Sequence, residues 1–322
     1  MSEHARADRP RSIPLWLAVA AAVLVGVLTA LQARINGSLG EAIGDGYTAA
    51  VISFGSGLAV LLAVTAVLPS GRAGSLRLVR GIRSGAVPVW MLLGGLAGAL
   101  TVATQGLTVA TIGVALFTVG VVAGQTLNGL VLDRIGYGPG GVVAVTVRRL
   151  VGGALAVTGV IVCVAGISTA PPLWMLVLPV LAGAGIAWQQ GTNGRLGQRV
   201  GNPLTATLVN FAGGTVVLGI AAAVHISSAG APRTLPADPW LYLGGVIGVI
   251  YIFLSAAIVR VTGVLLLGLG SVVGLLAMSV ALDAIRPAPS GPPLPVALAA
   301  VVIAFAGVAI VVVRRRRRPA AG

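Results

Sequence analysis

The sequence predicts an all-α membrane protein of ten transmembrane helices, arranged as two inverted five-helix repeats with both termini in the cytoplasm. Three observations carry that expectation. The 322 residues are 57% hydrophobic and only 9% charged, with a mean hydropathy of +1.03, which is more apolar surface than a soluble globule of this size can bury. Ten uncharged stretches are long enough for a hydrocarbon core of roughly 30 Å. The second half of the chain also repeats the first.

The ten stretches run over residues 15–31, 47–68, 87–109, 113–132, 150–166, 173–189, 204–224, 241–259, 263–282 and 294–313. The first follows Arg6, Arg9 and Arg11, as the core of a secretory signal would, but nine further stretches make it an uncleaved helix. The fifth holds Cys163, the single cysteine, so neither a disulfide framework nor a cysteine metal site is expected. Trp16, Trp90, Trp174 and Trp240 open their stretches, where an indole suits the membrane interface. The expected organisation is a cytoplasmic tail over 1–13, a first repeat over 14–167, a second over 172–313 and a basic tail over 314–322.

A formal net charge of +14 would suggest nucleic acid in a soluble protein, so the placement of the charge decides. All 21 basic residues are arginine. With the N-terminus inside, 18 fall in inward segments and only Arg34, Arg233 and Arg286 in outward ones, as the positive-inside rule requires. No nucleic-acid partner is expected. The run Arg314 to Arg318 reads either as a stop-transfer anchor or as a patch for anionic headgroups.

At an offset of 157, Gln32, Asn36, Gly37, Gly40, Gly44, Phe54 and Gly57 recur as Gln189, Asn193, Gly194, Gly197, Gly201, Phe211 and Gly214. From Trp90 and Trp240 the offset is 150, and Gly94, Gly95, Gly98, Gly113, Gly120 and Gly124 recur as Gly244, Gly245, Gly248, Gly263, Gly270 and Gly274. Asp133 and Asp283 close this match, while the fifth stretches share little beyond Gly159 and Gly307. Five is odd, so the halves are inverted. Inverted repeats give two nearly equivalent packings, one open to each side, with a substrate site near the midplane where the halves meet.

Gln32 to Gly37 and Gln189 to Gly194 stand where the first and sixth stretches end. Asn-Gly tolerates left-handed backbone, so Asn36 with Gly37 and Asn193 with Gly194 read as helix-ending caps or gating turns. Gln32 and Gln189 lie one turn earlier. They serve either that cap or a central cavity, where their amides would meet a polar substrate. Asn210 stands where the first half has Ser53, and Gln105 and Gln125 add polar groups that Ser255 and Leu275 do not match. Interhelical hydrogen bonding and substrate contact are both open for these three. Asp133 and Asp283 end helices, opposing the dipole; each needs a partner, with Arg134 or Arg286 nearest, as a structural ion pair or as a gate or proton site. No metal-ligand spacing and no phosphate loop occurs, so neither enzyme activity nor a cofactor is expected.

Taken together, Gln32 with Asn36 and Gly37, Gln189 with Asn193 and Gly194, the stretches from Trp90 and Trp240, and the helix ends at Asp133 and Asp283 resemble the YdcZ-type inner-membrane family. That family is a branch of the drug/metabolite transporter superfamily, and the chain is similar to its fused two-repeat form over roughly residues 14–313. The resemblance implies a bacterial cytoplasmic membrane location and a bundle in which the fifth helix of each repeat stands outside. The chain lacks the first-helix carboxylate of the small multidrug exporters in the same superfamily, so proton antiport is not carried over. The expected function is secondary transport, with export favoured, of a small polar or amphipathic metabolite or drug. A non-transporting scaffold and a lipid scramblase are the alternatives. Expected partners are a small-molecule substrate and membrane lipid, and a homodimer is compatible with the class.

Overall fold

The computed structural model describes residues 14–137, 142, 144–167 and 171–312, with the side chains of 15, 256–257, 259–269, 308 and 311–312 outside that description. Among these residues all regular structure is helical: α1 (Leu15–Ile43), α2 (Gly46–Val67), α3 (Pro69–Arg83), α4 (Gly94–Arg134), α5 (Val147–Ala165), α6 (Leu173–Val200), α7 (Pro203–Ala229), α8 (Gly244–Ile285) and α9 (Leu294–Val312). Six helical stretches among the described residues are long and apolar enough to cross a membrane, and shorter apolar stretches lie in α8 and α9. The tails, including Arg314 to Arg318, lie outside the described residues.

The real corner of each repeat comes later than the sequence suggests. α1 runs straight through Asn36 and Gly37 and ends at Gly44, and α6 runs through Asn193 and Gly194 to end at Gly201. Both end glycines are left-handed, with φ of 68° and 63°, the conformation that lets a backbone N–H close the last turn without a Cβ clash. Asp45 and Asn202 follow and cap the next helices, accepting from Tyr47 N and Leu204 N at 2.9 Å each. The cap reading of Asn36-Gly37 and Asn193-Gly194 is therefore corrected. Both pairs sit inside packed helix, where tertiary contact overrides local turn preference; Gly37 lies against Val109 and Gly40 against the Gly106 carbonyl.

Each corner also receives an arginine from elsewhere. Arg77 of α3 donates its Nε to the Val200 carbonyl at 2.6 Å, and Arg233 donates its backbone N–H to the Ile43 carbonyl at 2.8 Å. A cation at the negative end of a helix gains from the dipole as well as from the bond. Arg77→Ala is expected to lower stability by about 1 kcal/mol, measured by thermal unfolding in detergent, with Arg77→Lys recovering part of it.

α4 and α8, at 41 and 42 residues, would each span about 60 Å if straight, twice a hydrocarbon core. α4 is broken at Gly113, with φ 83° and ψ 162°, a conformation open only to glycine. It therefore has two arms, residues 94–112 and 114–134. Where the sequence suggests two helices joined by a short link, one residue makes the break.

The two repeats interlock. α1 of the first packs along α8 of the second, and α6 of the second packs along α4 of the first. The close contacts use the repeated glycines. A Cβ on Gly274 or Gly124 would run into the Val23 or Val180 carbonyl, and one on Gly26 or Gly183 into the Ser271 or Val121 carbonyl. Backbones this close gain dispersion contacts that larger residues forbid. α5 and α9 pack on one another, with Gly159 against the Ala300 carbonyl and Gly307 against the Gly152 carbonyl, too close for a Cβ at either.

Candidate functional site

At the contact between α2 and α7, Phe54 and Phe211 stack with ring centroids 4.8 Å apart and planes at 28°. The packing is reciprocal. Phe54 covers Gly214 and approaches Gly98, while Phe211 covers Gly57 and approaches Gly248. Both rings are 4% exposed, so they mark the pseudo-twofold axis and fill it.

Uncharged polar side chains surround this stack. Gln32 and Asn36, at i and i+4, share one face of α1. Gln32 donates to the Gly244 carbonyl at 2.8 Å and Asn36 to Gln105 Oε1 at 2.7 Å. On the other side Asn193 abuts Gly94, and Gln189 and Asn210 converge on Gly98. The glycines at 94, 95 and 98, and at 244, 245 and 248, leave the first turns of α4 and α8 bare enough for these amides to lie against them. Asn36 Oδ1, Ser53 Oγ and Asn210 Oδ1 are buried with no hydrogen-bond partner. Unpaired buried acceptors cost about 1–3 kcal/mol each, and buried polar groups are rarely left so.

Gln32, Gln105, Asn210 and Gln189 thus gather near the axis, together with Asn36 and Asn193. Gln125 does not. It lies on the far arm of α4 and donates to Gln190 at 3.3 Å on an exposed face. Beside it a cleft of about 530 Å³ between α4 and α6 is lined mostly by apolar groups such as Leu127, Leu181 and Trp188. Thr101 and Thr104 bond carbonyls of their own helix.

The two helix-end carboxylates have partners other than those expected. Asp133 pairs with Arg149 at the start of α5. Adjacent residues on a helix point about 100° apart, so Arg134 cannot turn back to Asp133. Asp283 accepts from Val114 N at 2.9 Å and Ala115 N at 2.7 Å, capping the second arm of α4 from the other repeat. Arg34 stands 4.0 Å away and donates to the Arg286 carbonyl at 2.5 Å, while the Arg286 guanidinium meets Glu41 at 3.7 Å. Asp283 ends its own helix at the unfavourable pole of the dipole but meets the favourable pole of another.

A family model described as "Putative inner membrane exporter, YdcZ" matches the chain twice, over residues 17–162 and 174–310. The chain belongs to the YdcZ family. Among curated proteins no relative matches. The two matched units of this YdcZ protein are the two interlocked repeats, and the polar seam lies where they meet. Phe54 and Phe211 belong to the 157-residue repeat, and a phenylalanine held in register among glycines was the signal that marked them. A second cluster had no such signal. Tyr137 bonds Thr192 at 2.9 Å and carries the Arg195 guanidinium 4.9 Å from its ring centre, with Trp90 alongside, and the opposite end of this YdcZ protein has no equivalent among the described residues.

Proposed function

We propose that this membrane protein of an exporter family is a secondary transporter with ten spans in two inverted repeats, moving a small polar or amphipathic metabolite or drug out of the cell by alternating access. The observation that carries the reading is the seam at the axis: amides of both repeats, some with unmet hydrogen-bonding capacity, around a ring stack that two-fold motion would part. The break in α4 supports counting its arms as separate spans. Orientation follows from charge. Arg34, Arg233 and Arg286 share one end of the bundle with Glu41, Asp45 and Asp283, whereas Arg72 to Arg83, Arg149, Arg195 and Arg199 crowd the other, which supports reading that end, where α1 begins, as the cytoplasmic one. Gln32, Gln189, Asn210 and Gln105 are the substrate contacts in this reading, with Asn36 and Asn193 beside them. Gln125 contributes at most to an approach path, and Asp283 holds the outward end.

A comparison of metabolites in cells with and without the protein identifies the moved compound, and proteoliposomes then measure its flux. Gln32→Leu with Gln189→Leu is expected to cut flux by about tenfold or more, given about 1 kcal/mol for each hydrogen bond lost, while the protein still purifies folded. Unchanged flux in the double variant would remove the seam from the transport path.

A further inference from the structure

The helix α3 had no counterpart in the expected ten spans, and its outward face combines arginines with exposed aliphatic side chains. It is the 15-residue sequence PSGRAGSLRLVRGIR, placed directly after α2. One side is fixed to the bundle: Gly71 lies on Thr65, Gly74 on Asn202 and Gly81 on Val87, and Leu78 packs with Val87, Leu196 and Ala206. At 100° per residue the opposite side carries Arg72, Leu76, Val79 and Arg83, flanked by Arg80, while Ile82 lies toward the edge of the packed side. All six are exposed, with Leu76 at 58%, Val79 at 45% and Ile82 at 41%.

The outward stripe therefore interleaves apolar side chains with arginines. None of Arg72, Arg80 and Arg83 has a carboxylate within 4.0 Å among the described residues. The stripe continues from Val67 and Leu68, exposed at 75% and 40%, where α2 ends. That position sets its level. A span that stops at Leu68 puts the next turn at the boundary between acyl chains and headgroups. A helix lying there with Leu76 and Val79 toward the chains and long basic side chains reaching to the headgroups is stable, because each part meets the medium it suits. An acidic protein surface would satisfy the arginines but leave Leu76 and Val79 facing charge.

We propose that α3 is a binding surface for acidic phospholipid headgroups, with Arg72, Arg80 and Arg83 as the headgroup contacts and Leu76 and Val79 as the acyl contacts. The proposal depends on the chain lying in a membrane and on no part of the transport reading; the orientation assigned above only names the leaflet as the cytoplasmic one. Through Arg77 on the α6 end and Gly74 on the α7 start, lipid held by α3 is tied to the corner of the second repeat.

The test uses the full-length protein and native mass spectrometry of its retained lipid, titrated with phosphatidylglycerol or phosphatidylcholine. Wild type is expected to retain phosphatidylglycerol in preference. The triple variant R72Q/R80Q/R83Q is expected to retain it about tenfold less, since each basic residue near an acidic surface strengthens binding about fivefold and other arginines supply part of the total. R72K/R80K/R83K, which keeps the charge, is expected to hold most of it. The three side chains bond nothing within the described fold, so the variants are expected to melt with the wild type. Equal phosphatidylglycerol retention by wild type and the glutamine variant overturns the proposal, and so does wild-type retention of phosphatidylcholine on a par with phosphatidylglycerol.

Discussion

Gly274→Leu is expected to force α1 away from α8 and destabilise the bundle, and Gly124→Leu is expected to do the same to α4 and α6. In each case the first added carbon falls on a backbone carbonyl, Val23 O or Val180 O. A flexible side chain can rotate away; a carbonyl in the middle of a helix can move only with the helix. Overpacking a tight core costs about 1–3 kcal/mol and occasionally more, and here the clash is with backbone and also removes close helix contact along the crossing. A loss of about 3 kcal/mol, a large share of the 5–15 kcal/mol that holds a domain together, is the expected scale. Thermal unfolding and size-exclusion behaviour in detergent read the effect. Gly219→Ala in α7 is the control, because nothing lies within 4 Å of its added carbon; it should melt with the wild type or above it. A Gly274→Leu protein that melts with the wild type would mean that α1 and α8 do not cross at this point.

Asp283→Ala carries the second largest effect. It strips the acceptors from Val114 N and Ala115 N, both in fully buried residues, and takes the counter-charge from Arg34. Leaving buried donors unpaired costs about 1–3 kcal/mol each. Asp283→Asn keeps one carbonyl oxygen for the cap and loses the charge, so it should fall between wild type and alanine. The measurement is the order of melting temperatures, wild type above asparagine above alanine. If alanine and asparagine prove equal, the carboxylate does not hold the break in α4.

Much of this was legible in the sequence, and the parts that were not share a cause. Gly120, Gly124, Gly270 and Gly274 stood out as a repeat, and the structure gives them a job: they are where helices of opposite repeats touch. Phe54 and Phe211 stood in the same register and meet on the axis. Asn36-Gly37 was misleading because its turn preference is local, whereas the contacts of Gly37 with Val109 and of Asn36 with Gln105 are made by chain 69 or more residues away. Gln125 looked equivalent to Gln105 along the sequence. The bend at Gly113 sends the two arms of α4 to different neighbours, and no periodicity records that. α3 was hidden by its charge, since a hydropathy reading takes Arg72 to Arg83 for a loop; glycine at 71, 74 and 81 along one face was the available sign of a packed helix.

The strap formed by α3 exists at one end only. At the opposite corner, the place of Arg77 is taken by Arg233 in a segment without helix. If the protein alternates between inward and outward packings of matched halves, those halves would by themselves give the two packings equal occupancy. An element bonded to one corner and absent from the other removes that equality, and each 1.4 kcal/mol it contributes to one packing shifts the ratio about tenfold. The resting population of such a transporter would then be set at α3, well away from the residues that touch its cargo.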